Sequence, residues 1–381
     1  MKRALLAVRD YLLGVDLLLW VLCALCAAGG IFLVRSATLT LGSERYILIQ
    51  TVAAAVGAAA FIIASLIPDR WLYRLWIPLL ILNIALQITP RFFASFQSGN
   101  RSWIRLPYFS FQPGELGKVI FIVTFAAHLR LLRDRLNTAL SVLQLLAHWG
   151  ILTACVMVFS RDDGMALQYI FIGLSMLFAA GLAWRWFAAG ALTAAVAAPL
   201  IWRFFMDPYQ RLRILVIFDP TLDPDKAYQA NQTRRAIGGG LFTGQGYMQG
   251  NLTQRSLIPT KHTDSIFAVA GEEFGFVGAM IVLVLLTLVI LRCLYLAARA
   301  RNTFDSTLCA GLAGMLIFQT VVNIGMNIGL LPVIGLTLPF FSYGGTSLVT
   351  MFGSMGLAAG VRLRISRQND ELRALIDDLP Y

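Results

Sequence analysis

Charge is scarce in this chain. Asp, Glu, Lys and Arg together supply 13% of its 381 residues, about half the share of an ordinary soluble domain. That deficit excludes a water-soluble globular protein, and the mean hydropathy of +0.72 points the same way. Acidic residues are the rarer sign, 20 against 31 Lys and Arg, for a net charge of +11. In a soluble chain such an excess would suggest nucleic acid. Here most cations sit in short connections and flanks, where they set membrane topology, so no nucleic-acid partner is expected. Cysteine is sparse and unpatterned. Cys23, Cys26, Cys155, Cys293 and Cys309 fall in or beside apolar runs without metal-ligand spacing and read as small packing residues. No low-complexity linker or soluble domain is visible, so residues 1–381 read as one transmembrane domain. Lys2 and Arg3 precede apolar sequence, as in a cleavable leader, but the first long run is span-length and is expected to stay as an uncleaved helix.

What is present is a series of apolar runs near the ~20 residues that cross a hydrocarbon core. They predict an all-α polytopic membrane protein with about ten transmembrane helices: 15–34, 48–67, 71–89, 115–132, 143–160, 165–183, 186–205, 265–291, 307–329 and 346–363. A cytoplasmic N-terminus places Arg130, Arg133, Arg135, Arg299, Arg301, Arg362 and Arg364 inside, with a short cytoplasmic tail at 364–381. It leaves 38–46, 90–114, 161–164, 330–345 and a large extracytoplasmic loop, 206–264 between helices seven and eight, outside. Arg91, Arg101, Arg105, Arg211, Arg213, Arg234 and Lys261 lie in these outer segments, against the trend. On charge alone they are either solvated or an anion site suited to phosphate or pyrophosphate. The apolar segment Tyr209–Phe218, with Arg211 and Arg213 interspersed, suits either an interfacial helix or packing on the bundle.

The densest chemistry lies at Pro259–Ala279 (PTKHTDSIFAVAGEEFGFVGA), where Lys261, His262, Thr263 and Asp264 precede an apolar run containing Glu272 and Glu273. Ionisable groups at a span edge are costly unless they face a polar cavity or a partner, so this is a candidate reaction or transport site. Glu115 and Lys118 are three apart on an expected helix and share a face. A pair that only offsets its own burial and a pair that organises a site both fit that spacing. Gln232–Gly246 is rich in glycine, which permits backbone conformations closed to other residues and close approach to a ligand. Leu331–Ser347 (LPVIGLTLPFFSYGGTS) is a non-helical stretch of the kind that survives at membrane depth only where it is buried or lines a cavity.

These stretches together resemble the SEDS family (shape, elongation, division and sporulation), whose members polymerise peptidoglycan strands from lipid II. The resemblance covers nearly the whole chain. Gly99–Ile104 (GNRSWI) and Phe111–Lys118 (FQPGELGK) are similar to two family motifs, with Ser102 in the slot of an Arg, Arg101 one place earlier, and Gly114 in place of Ser. Arg161–Leu167 (RDDGMAL) aligns Asp162 with a family Asp, although Arg161 stands where Pro is usual and Met165 where Thr is. Gln232, Ala236, Ile237, Gly238, Gly240, Gly244, Gly246, His262, Thr263, Asp264, Glu272 and Glu273 all match, with Ser265 in place of Phe. In the last stretch Ile334 and Thr337 replace Thr and Pro, while Ser342, Tyr343, Gly344 and Gly345 match.

The resemblance implies an inverting transfer at the outer face of the bacterial inner membrane, in which a sugar hydroxyl displaces polyprenyl pyrophosphate. Asp264 is implied as catalytic carboxylate, either general base or ligand of a divalent cation such as Mg or Mn. Arg101, Lys118 and Lys261 are candidates for the phosphate-side charge, and His262 for an orienting hydrogen bond. Gln112, Glu115, Asp162, Gln232, Thr263, Glu272, Glu273, Ser342 and Gly344 are implied as substrate-binding or site-organising residues. Implied partners are lipid II, its polyprenyl-pyrophosphate-linked glycan, membrane lipid and a class B penicillin-binding protein that crosslinks the product. Gly246–Gln254 (GYMQGNLTQ) looks more like the RodA elongation branch than the FtsW division or SpoVE sporulation branches. A lipid II flippase is the rival, but it would spread its charges through the bundle rather than crowd them at one face. A scaffold that recruits a separate synthase ranks last, since it has no use for a carboxylate–lysine–glycine constellation.

Overall fold

Inside a bilayer a chain must satisfy its own backbone N–H and C=O groups, and apolar runs do so as helices. The computed structural model describes residues 9–94, 101–105 and 110–377, so Lys2, Arg3, Gly99 and the end of the expected tail lie outside the described residues. The principal helices are α1 (Leu17–Thr38), α2 (Arg45–Leu66), α3 (Trp76–Ile88), α4 (Pro113–Leu132), α5 (Ala139–Cys155), α6 (Asp163–Ala179) and α7 (Trp184–Leu200). They are followed by α8 (Pro208–Phe218), α9 (Pro224–Gly239), the short α10 (Asn251–Gln254), α11 (Ile266–Arg299), α12 (Thr303–Asn327) and α13 (Gly345–Asp377). The only strand pair among the described residues is β1 (Ile104–Arg105) with β2 (Ser110–Phe111), antiparallel with Ile104 opposite Phe111.

Eight helices among the described residues are long and apolar enough to cross a membrane, and α6 is a shorter apolar helix. The remaining expected span is α4, 20 residues long, which buries Glu115 and Lys118 among its apolar residues. Large apolar side chains such as Ile63, Leu143 and Phe178 stay exposed on the bundle flanks, as a lipid-facing surface requires. The chain is a helical, multi-pass membrane protein. Two expectations shift. Helix α13 continues to Asp377, so most of the expected tail is helical, and the large loop is itself built from α8, α9 and α10.

Side-chain caps set several boundaries. Asp16 accepts from Leu19 N at α1, Asp162 from Met165 N at α6, and Asn302 from Asp305 N at α12. Helix α13 packs on α2, and α12 on α11 and α6. The first contact rests on small residues. A Cβ at Gly57 would meet the Phe352 ring, and one at Gly356 would strike the Phe61 carbonyl. Asp16 pairs with Arg292 at 2.8 Å, joining α1 to α11, and Asp305 pairs with Arg364, joining α12 to α13.

Candidate active site

The glycine-rich loop after α9 builds the base of the site. Helix α11 is broken at Gly275 (φ 65°, ψ −157°). There the loop inserts, with Gln245 N on Glu272 O (3.0 Å), Gly246 N on Glu273 O (3.0 Å) and Phe276 N on Leu241 O (2.9 Å). A Cβ at Gly240 would strike the Gly271 carbonyl, and one at Gly244 the Glu273 carbonyl. These glycines serve an approach of chain to chain, whereas the sequence suggested an approach to a ligand.

The two glutamates brace that loop. Glu272 accepts from Leu252 N (2.7 Å), Thr253 N (2.9 Å) and Thr253 Oγ1 (2.6 Å), which caps α10. Glu273 accepts from Ser36 Oγ (2.5 Å) and Gln254 Nε2 (3.1 Å). Lys261 donates to Thr40 Oγ1, Thr253 O and Ser256 Oγ at 2.8, 2.7 and 3.0 Å. All three ammonium protons are thus directed into protein, and the structure does not turn Lys261 toward Asp264.

Asp264 sits one residue before Ser265, the N-cap of α11, and is half-buried. Its carbonyl accepts from Asn323 Nδ2 and Asn327 Nδ2, both at 2.9 Å. Asn323 also donates to Leu336 O at 2.7 Å, so α12 clamps the Asp264 segment to the Pro/Gly stretch. A Cβ on Gly335 (φ 72°) would lie 3.7 Å from Asp264 Oδ2, which leaves the carboxylate faced by bare backbone. Ser342 Oγ donates to Thr263 O at 2.7 Å and accepts from Leu338 N at 2.8 Å. Gln50 joins the frame from α2, donating to Ser342 O (3.1 Å) and accepting from Gly344 N (3.2 Å). The His262 ring packs against Tyr46 and Tyr343, and Tyr343 N donates to its carbonyl at 2.8 Å. Burial, reinforced by the Lys261 charge, pushes His262 below the ordinary imidazole range, so it is neutral near pH 7.

A second carboxylate approaches from α6. Asp162 accepts from Ser102 Oγ at 2.7 Å and from Gln112 Nε2 at 3.4 Å. Its charge acts on Asp264 and on Lys118. Lys118 donates to Glu115 at 2.7 Å, and Ser347 Oγ donates to the other Glu115 oxygen at 2.9 Å. Burial, then the Asp162 charge, pushes Asp264 up to about 6. Asp162 is likewise raised, first by burial. The arrangement is a carboxylate poised to take a proton near neutral pH, with a second carboxylate and a buried ammonium nearby.

Residues 16–369 match the FtsW/RodA/SpoVE profile, described as "Cell cycle protein". The chain belongs to the FtsW/RodA/SpoVE family. It is 34% identical over 309 residues to the peptidoglycan glycosyltransferase MrdB of Escherichia coli (strain K12), covering 81% of this chain and 83% of that protein. It is 30% identical over 364 residues to the probable peptidoglycan glycosyltransferase FtsW of Geobacter sp. (strain M18), covering 92% and 98%. Among solved structures it is similar to the rod shape determining protein RodA of Thermus thermophilus (TM-score 0.67, 27% identity, 92% and 97% covered). It is also similar to a chain from a peptidoglycan synthase complex that coordinates polymerization and crosslinking (TM-score 0.76, 30% identity, 92% and 98% covered).

For this family member the fold gathers Asp264, Thr263, Ser342 and Gly344 into one frame and Asp162, Gln112, Glu115 and Lys118 into an adjoining one. Gln232 is buried on α9, and its Oε1 accepts no hydrogen bond among the described residues. Arg101 donates its backbone N–H to Ser160 O at 2.8 Å and lines a separate cavity with Arg91 and Arg161. Sequence reasoning missed Gln50, Ser102, Asn323 and Asn327. Three of these are polar residues in apolar spans, a signal of site building, and Asn323 and Asn327 share a helix face.

Proposed function

We propose that this protein is a peptidoglycan glycosyltransferase that polymerises glycan strands from lipid II at the extracytoplasmic face of a bacterial inner membrane. The observation that carries the reading is Asp264, a half-buried carboxylate raised to about 6 and clamped through its carbonyl by Asn323 and Asn327. The names of the relatives, MrdB and FtsW, support the activity. Elongation is the branch favoured, from the Gly246–Gln254 stretch and the RodA likeness.

In the reaction an acceptor hydroxyl attacks the anomeric carbon of the donor sugar. As the new glycosidic C–O bond forms, the C–O bond to pyrophosphate breaks, the electron pair leaves with the polyprenyl pyrophosphate, and the anomeric centre inverts. Asp264, ionised by roughly ten to one at pH 7 for a group titrating near 6, takes the hydroxyl proton. Burial first, and then the Asp162 charge, keep Asp264 basic enough for that task. Lys118, held by Glu115, supplies positive charge that acts on the Asp162 carboxylate, and Gln112 and Ser102 hold Asp162 in place. Among the described residues no group of three or more His, Cys, Asp or Glu side chains is placed to hold a metal ion. A single carboxylate faced by bare backbone, as Asp264 is by Gly335, suits only a cation of the Mg type, which takes one or two carboxylates plus waters and phosphate oxygens. Asp264 would be its protein ligand, and the cation would neutralise charge on the phosphates. Crosslinking falls to a class B penicillin-binding protein partner.

The test is purified protein in liposomes with lipid II, with and without a class B penicillin-binding protein, its products resolved on a glycan gel. Polymer from the wild type supports the reading. Translocation of lipid II without polymer under every condition overturns it in favour of a flippase.

A further inference from the structure

Asn83 and Gln87 stand one turn apart on α3, Tyr169 stands on α6, and all three side chains are fully buried. Polar side chains in apolar spans are costly unless they find one another. These do, around Gly117 of α4. Gln87 Nε2 donates to Tyr169 Oη at 2.8 Å and to Asn83 Oδ1 at 3.3 Å, and Asn83 Nδ2 donates to the Gly117 carbonyl at 2.9 Å. A Cβ at Gly117 would strike Gln87 Nε2, Asn83 Oδ1 and Tyr169 Oη, so the missing side chain is what lets three polar groups gather on that face of α4. One turn along α4 the Phe121 ring stacks on the Tyr169 ring (5.2 Å, 20°), and one turn back a Cβ at Gly114 would press on Met165. Helix α4 thus meets α6 through Gly114 and Gly117, and α3 bonds to both helices at the second contact.

The register fixed there is also that of the site. Lys118 follows Gly117 directly, and Asp162, whose charge acts on Lys118, caps the same α6 that carries Tyr169. Lys118 has little freedom to compensate for a shift, because it is fully buried and donates to Glu115, whose other oxygen is held by Ser347. Sliding or turning α4 on α6 therefore moves the ammonium relative to Asp162. In lipid, no hydrophobic force opposes a slide between apolar helix faces, whereas directional hydrogen bonds select one register. We propose that Asn83, Gln87 and Tyr169 are positioning residues, whose hydrogen bonds lock α4 against α6 in the register that sets Lys118 against Asp162. The inference rests on the proposed polymerase reaction, in which Lys118 and the two carboxylates act together.

The test uses the full-length protein in liposomes with Tyr169→Phe, which keeps the ring on Phe121, with Gln87→Met, which keeps the side-chain length, and with both. Polymerisation of lipid II gives kcat and KM, thermal melts give stability, and a structure of the Tyr169→Phe protein gives the offset of α4 against α6. The expected result is a kcat lower by about tenfold in each single variant with KM little changed. The double variant should be no slower than the slower single one, because both changes remove the same bond. In Tyr169→Phe α4 should be displaced along or around α6. Variants that keep the wild-type kcat overturn the inference whatever their melting temperature, because the bonds then serve stability alone. Losses that multiply in the double variant, a rise in KM as large as the fall in kcat, or a fall in kcat with α4 unmoved also overturn it. A wild type that makes no polymer overturns the polymerase reading instead, and the register lock then stands if α4 shifts in Tyr169→Phe and falls if it does not.

Discussion

The titration of Asp264 gives the sharpest quantitative expectation. Its carboxyl is raised to about 6 from an ordinary value near 4, by burial first and by the Asp162 charge second. If the ionised form is the base, kcat/KM for lipid II rises about tenfold per pH unit below 6 and flattens above about 7, so activity at pH 5 is roughly a tenth of the plateau. Asp162→Asn removes the like charge while its amide oxygen can still accept from Ser102. The break should then move to lower pH, yet stay above 4 because burial remains. The sign for stability is opposite. A carboxyl with a folded-state value above its unfolded value stabilises the fold below about pH 4, and that stability is lost as pH rises through 6. Asp264→Asn should therefore stabilise the fold at pH 7 by an amount on the order of 1–3 kcal/mol, seen as a higher melting temperature, while activity is lost. The assay is initial polymerisation rate from pH 5 to 8, beside thermal melts in detergent. A profile that breaks near 4, or one that moves upward in Asp162→Asn, would refute the reasoning.

Lys118→Met should destabilise the protein by about 3–5 kcal/mol, because it strands the buried Glu115 carboxylate. The double variant Glu115→Gln/Lys118→Met should recover most of that loss in thermal melts. Gly275→Ala meets both a backbone conformation reserved for glycine and the Gly244 amide, so a loss of more than about 3 kcal/mol is expected. A wild-type melting temperature there would show that the loop does not lock into α11. Asn323→Leu with Asn327→Leu frees the Asp264 carbonyl, and kcat should fall on the order of a hundredfold while KM for lipid II moves little. An equal fall in both single-turnover rate and substrate binding would point instead to a collapsed site.

Much of this architecture is legible in one dimension. Apolar run length located a helix at every expected span, since a hydrocarbon core dictates length and self-satisfied backbone. Helix ends were less legible, because α13 leaves the apolar run and continues through polar sequence to Asp377. The carboxylate at Asp264 and the Glu115–Lys118 pair were readable from local spacing and from matched motifs. The clamps around them were not, because they join residues far apart in sequence. Gln50 meets Gly344 across 294 positions, and Ser102 meets Asp162 across 60. Ser102 looked like a departure from a motif, yet it is one of the donors that hold the second carboxylate. Lys261 looked like a phosphate ligand because it neighbours Asp264 in sequence, but its Nζ is engaged by Thr40, Thr253 and Ser256.

The measurement that bears most directly on Asp264 as the base is polymer formation from labelled lipid II by the wild type, Asp264→Asn and Asp264→Glu, side by side at pH 7.5. The expected result is glycan strands from the wild type, none from Asp264→Asn despite retained lipid II binding, and a reduced yield from Asp264→Glu. Strands from Asp264→Asn at the wild-type rate would contradict it.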